Sequence, residues 1–103
     1  MSKKLRLSAP ALRVLKLFLE NPRTRRSGAE ISRIASVGAG TLYPLLARLE
    51  GAGWLTSDWE RVAPEVSGRP RRRLYLITAL GQSCAVKEVG EVQFTTGVLA
   101  WNS

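Results

Sequence analysis

The chain has 103 residues, 45% of them hydrophobic, which suits one domain with one modest core. Sixteen Lys and Arg against eight Asp and Glu give a formal charge of +8, so the expected partner is an anion, nucleic acid before an anionic membrane surface. A single cysteine, Cys84, excludes an internal disulfide, and the absence of histidine leaves no zinc ligand set, so neither metal nor cofactor is expected. No serine nucleophile setting or phosphate-binding loop is present, which argues against an enzyme. The basic N-terminus lacks the apolar run of a signal peptide, and no stretch approaches the ~20 apolar residues of a membrane span. These features imply a soluble, cytoplasmic protein, with Cys84 a small buried hydrophobe.

In chain order, residues 1–7 read as a basic arm. Ser8 is a good N-cap and Pro10 falls in the first turn, so a helix should begin there. Leu12, Leu15 and Leu19, with Val14 and Phe18, give it an apolar face wide enough to meet both the core and a second chain. Asn21-Pro22 ends it, and Arg23 to Arg26 form a polar, basic turn. Ser27-Gly28-Ala29-Glu30 has the spacing of a capping box and opens a short second helix whose core stripe is Ile31, Ile34 and Ala35. A tight turn leads to a third helix starting at Gly38. There Leu42, Leu45, Leu46 and Leu49 form the apolar stripe. The opposite face holds Gly40, Pro44, Ala47 and Gly51, with Tyr43 and Arg48 at its edges. Such a bare face suits close approach of the helix backbone to a partner, a DNA major groove among the candidates. Two short helices joined this way read as a helix-turn-helix.

Trp54 to Trp59 reads as a strand, Glu60 to Pro70 as a loop and Arg71 to Ile77 as the returning strand. Tyr75 and Ile77 share a face with Arg73, and Leu74 and Leu76 take the other. Asp58 and Glu60 read as solvent-facing. Thr78 should cap a helix over about 79–92, with Leu80, Cys84, Val86 and Val89 apolar. The tail carries Phe94, Leu99 and Trp101 and is too apolar to be free. The fold class is therefore mainly α with a small β-hairpin (α+β): a winged helix-turn-helix with a three-helix core, a β wing and a C-terminal helix. The expected division is an arm at 1–7, a DNA-binding domain at 8–78 and a dimerisation segment at 79–103.

Gly40-Thr41-Leu42-Tyr43-Pro44-Leu45-Leu46, Arg48-Leu49-Glu50 and Gly53-Trp54-Leu55 together resemble the PadR family of bacterial transcriptional regulators. So does the run Gly68-Arg69-Pro70-Arg71-Arg72-Arg73-Leu74-Tyr75-Leu76-Ile77-Thr78. The likeness covers roughly residues 10–83. Gly38 and Ala39 stand where the family tends to have Ser and Pro, and Ala29 where an aromatic is usual. The chain resembles the short subgroup, which has a terminal helix in place of a large C-terminal domain, and no effector pocket is marked.

The pattern and the resemblance together imply a dimeric repressor that reads an inverted repeat in double-stranded DNA at the nucleoid. The third helix would enter the major groove, with Ala39, Gly40, Thr41, Tyr43 and Pro44 near its start and Arg48 reaching a phosphate or a guanine. Arg69, Arg71 and Arg72 would hold the flanking backbone or the minor groove. Arg73 would either join them or pair internally. Gly28 and Ala29 would offer a helix N-terminus to a phosphate. Leu12, Leu15, Leu19, Val89, Phe94, Leu99 and Trp101 would form the homodimer contact. Two alternatives stay open: a winged-helix protein-interaction module, and non-specific nucleic-acid binding driven by charge.

Overall fold

The computed structural model describes residues 7–95, with backbone only for 91–95. Leu99 and Trp101 lie outside the described residues, and the Phe94 side chain is likewise not described. Three helices come first. Helix α1 (Ala9–Glu20) starts where Ser8 Oγ accepts the Ala11 N–H at 3.3 Å. Helix α2 (Gly28–Ala35) starts where Ser27 Oγ accepts the Glu30 N–H at 3.2 Å. The Glu30 carboxylate turns to Arg26 Nη1 at 3.0 Å, so the expected capping box is made on the serine side with its acid engaged elsewhere. Ser36, in the left-handed region at φ 57°, ends α2 and turns the chain into helix α3 (Ala39–Gly51). Helix α3 runs unbroken through Pro44, which lacks the N–H that would bond the Gly40 carbonyl. Both residues are exposed, so water can satisfy that carbonyl.

The stripe of α3 is as expected: Leu42, Leu45, Leu46 and Leu49 are all buried. They meet Val14, Leu15 and Phe18 of α1 and Ile31 of α2 in one core. Each such side chain contributes about 1.5–3 kcal/mol of hydrophobic burial. Two core expectations need correction. Ile34 is 43% exposed, beside Arg13, Lys16 and Leu17 of α1, while Ile31 and Ala35 carry the buried stripe of α2. Leu15 has no exposed surface at all, so it belongs to the core and is closed to any second chain. Leu12 and Leu19 are half-buried at the edges of the same helix. Cys84 is also half-buried, packed against the core rather than inside it.

The sheet is three-stranded among the described residues, in the order β1-β3-β2. Strands β2 (Leu55–Trp59) and β3 (Arg73–Ile77) are the expected hairpin, paired from Leu55↔Ile77 to Trp59↔Arg73. Strand β1 (Arg26–Ser27), which the sequence reads as the last residue of a turn and the cap of the second helix, pairs with Tyr75 and Leu74 of β3. Two residues are too few to show the alternation by which a strand is recognised. The hairpin loop holds a single-turn helix α4 (Pro64–Ser67), begun by a proline in its first turn and closed by Gly68. Helix α5 (Ala79–Thr95) is capped by Thr78, whose Oγ1 accepts the Gly81 N–H at 2.9 Å, and it packs chiefly on α1. Gly81 seats this helix. A Cβ there would strike the Trp54 carbonyl oxygen and lie 2.9 Å from Ile77 Cγ1. None of the described helices is long and apolar enough to cross a membrane.

Candidate nucleic-acid interface

The expected DNA-contacting residues fall into three groups. The first is the outer face of α3. Ala39, Gly40, Thr41, Pro44, Ala47 and Arg48 are all exposed there, and Tyr43 is 47% exposed. This follows from the helical period, which puts every leucine of the stripe inward and leaves mostly small side chains outward.

The second group is a cleft of about 170 Å³ between the start of α2, Tyr43 and the base of the wing. Gly28, Ala29, Tyr43, Arg72 and Arg73 line it, together with Ser27 and Tyr75. Tyr43 reaches it because Gly28 has no side chain: a Cβ at position 28 would lie 2.6 Å from Tyr43 Cε1. Gly28 is therefore buried beneath the ring, and Ala29 is the exposed residue of that helix start. Burial, with the Glu50 carboxylate second, pushes the Tyr75 hydroxyl pKa above its usual 10.0.

Arg73 lines the cleft, but its Nε donates to Ser57 Oγ at 2.8 Å and its guanidinium lies over the Trp59 ring, 5.1 Å from the centroid. Ser57 passes the contact on, donating to Glu50 Oε2 at 2.7 Å. Of the two roles open to Arg73, the internal one is what the geometry carries. It braces the wing against the last turn of α3 by way of Ser57 and Glu50.

The third group is the wing tip, where Glu60 is a correction. It was expected to face solvent, yet its side chain is only 11% exposed and holds two arginines. Arg69 binds it through both terminal nitrogens, Nη1 to Oε1 at 2.8 Å and Nη2 to Oε2 at 3.1 Å. Arg72 adds Nη2 to Oε2 at 3.2 Å and its backbone N–H to Oε1 at 3.4 Å. The Arg69 hydrogen bonds, opposed by burial and helped by Arg72, bring the Glu60 pKa from 4.5 to about 2. The sequence signal was an acid at one end of the wing loop and arginines at the other, ends that a hairpin must bring together. Asp58, by contrast, does face solvent, 71% exposed with Arg25 at 3.5 Å. Arg71 is exposed, its Nε 3.4 Å from the Val62 carbonyl oxygen.

Arg26 was likewise missed. It is 8% exposed and ion-paired to Glu30, while its Nε is buried without a partner among the described residues. No group of three or more His, Cys, Asp or Glu is gathered to hold a metal among the described residues.

The arrangement of helix pair, bare third helix and arginine-lined wing can be set beside known proteins. A protein of Streptococcus mutans UA159 matches at 28% identity and a TM-score of 0.66, over 91% of this chain and 87% of its own. A transcriptional regulator from Clostridium thermocellum matches at 27% and 0.65, over 85% and 86%. A PadR-like transcription factor from Bacteroides fragilis shares the fold at 20% and 0.66, over 91% and 92%. No curated protein sequence matches. The model of the transcriptional regulator PadR-like family matches residues 25–87, more than half of the chain, and takes in α2, α3 and the whole wing. The chain therefore belongs to the PadR-like family of transcriptional regulators: it is a DNA-binding winged-helix protein and not an enzyme.

Proposed function

We propose that the protein is a dimeric repressor that reads an inverted repeat. One observation carries the reading: Gly28, Ala29, Tyr43 and Arg72, drawn from three separate elements, border one cleft beside the bare face of α3. That is the arrangement a duplex needs if one helix enters the major groove while the flanking backbone is held on either side. Thr41 and Tyr43 meet phosphate or base edges near the start of α3, and Arg48 meets phosphate or a guanine further along. Ala29 meets a phosphate at the N-terminus of α2, and Arg69, Arg71 and Arg72 hold the flanking strand. Residues 8–78 are the DNA-binding unit and 79–103 the dimerisation segment.

The second chain docks on the edge of α1 at Leu12 and Leu19 and on α5 at Val89, with Phe94, Leu99 and Trp101 continuing the contact. Exposed apolar side chains on α5 support this, Leu80 at 54% and Val86 at 59%. The protein works in the cytoplasm, at the nucleoid.

Selection from random duplex DNA at ~150 mM salt tests the reading. An enriched inverted repeat is the expected result, since two-fold protein symmetry is mirrored in the site. Enrichment of a single half-site overturns the dimer. Binding without enrichment leaves the +8 charge as the only driver.

A further inference from the structure

The Glu60 carboxylate has a role in the wing beyond neutralising charge. It is sheltered at 11% exposure, while the two arginines that grip it are 40% and 46% exposed. The acid is thus inside the clamp and the cations are outside. A guanidinium carries five N–H donors. Arg69 gives Glu60 one from each terminal nitrogen, and Arg72 gives one, so each arginine keeps several donors for a partner on its outer side. A phosphate could bind those donors without breaking the clamp.

The clamp also closes the strand ladder. The Glu60 N–H donates to the Arg72 carbonyl oxygen at 2.7 Å, one residue beyond the last strand pair, Trp59↔Arg73. Arg72 then borders the cleft with Tyr43, and Arg69 stands beside the α4 turn, where Ser67 Oγ donates to its carbonyl oxygen at 3.0 Å. One carboxylate therefore holds two cations, one at the cleft and one beside the α4 turn. Arg71, between them in sequence, does not touch it.

We propose that Glu60 is a specificity-determining positioning residue of the DNA interface. It fixes the Arg69 and Arg72 guanidiniums at a set spacing and offsets part of their charge, so the wing contributes orientation rather than indiscriminate attraction. This rests on the DNA-reading function above. With its carboxyl held near pH 2, Glu60 stays an anion wherever binding would be measured. A free arginine on a flexible loop follows any phosphate. A guanidinium already bonded in two places meets only a backbone that passes at the right distance.

The test uses the whole chain, its Glu60→Gln and Glu60→Asp variants, and two duplexes of equal length: the selected sequence and a scrambled one. Binding is followed by fluorescence anisotropy from ~50 to ~200 mM salt. Glu60→Gln keeps the shape and removes the charge. It should bind the scrambled duplex more tightly, with a salt slope steeper by about 1. It should gain less on the selected duplex, so the affinity ratio falls about tenfold. Glu60→Asp keeps the charge but shortens the reach. It should leave the scrambled duplex unchanged and lose about tenfold on the selected one.

If both variants shift the two duplexes by equal factors, Glu60 acts by charge alone and the proposal fails while the DNA-reading function stands. If the wild type itself prefers no duplex, the function reading fails and takes this one with it. Glu60→Asp decides the matter even if the Gln variant folds poorly.

Discussion

Two glycines face opposite fates at the scale of a single residue. At Gly28, an added methyl meets the far end of the exposed Tyr43 ring, which can swing away. At Gly81, it meets the carbonyl of Trp54, which cannot. Gly81→Ala should therefore cost about 1–3 kcal/mol by overpacking, seen as a lower melting temperature. Gly28→Ala should change stability by less than about 1 kcal/mol, a surface-like effect, yet weaken DNA binding by displacing Tyr43 from the cleft. Calorimetry beside a binding titration separates the two; a large melting shift in Gly28→Ala would mean Tyr43 is structural.

Glu60 gives a prediction in pH. Its folded pKa of about 2 lies below the ordinary 4.5, so the stability it contributes is fully present above about pH 4.5 and is lost as pH falls toward 2. Denaturation midpoints measured across that window should drop more steeply for wild type than for Glu60→Gln. Parallel curves would mean that the clamp is not formed in solution.

Helix α3 combines a buried stripe with a bare outer face, and the two halves can be tested apart. Leu46→Ala should cost about 2–5 kcal/mol, since the side chain has no exposed surface. An unchanged denaturation curve would turn the helix around. The stripe was legible in the sequence because four leucines at helical spacing leave little choice of face. The hairpin was legible for the same reason, in period two, and the caps at Ser8, Ser27 and Thr78 because each needs only one hydroxyl. Strand β1 was not, since its pairing is set by β3 about fifty residues away in the chain. The helical turn at Pro64–Ser67 hid behind punctuation that serves a loop equally well. Partners escaped where they depended on closure of the wing: Glu60 to Arg69 and Arg72, and Arg73 to Ser57 and Glu50. The exposure of Ile34 escaped because its spacing from Ile31 fits a buried stripe, and only the packing of α2 shows that the stripe is narrower.

For the molecule as a whole, a charge of +8 ensures attraction to any duplex, so selectivity has to come from arrangement. Arg72→Ala should weaken binding to every duplex and reduce the salt slope by about 1, with the larger loss on the selected sequence, where the clamped guanidinium is positioned. A loss on the selected sequence with the scrambled duplex and the salt slope unchanged would make Arg72 a base reader. Light scattering at micromolar concentration should give twice the monomer mass; a monomer would remove the inverted repeat from the expected site.

The strand order β1-β3-β2 has a consequence for engineering by exchange between relatives. Strand β3 is stitched on one side to β2 and on the other to the two residues that lead directly into α2. The wing is thus no detachable appendage, because its central strand shares a seam with the entrance of the helix pair. A chimera that transplants only residues 55–77 from a homologue would import one edge of that seam and leave the other native. A transplant that carries residues 26 and 27 as well moves the whole seam, and should be the version that keeps its fold.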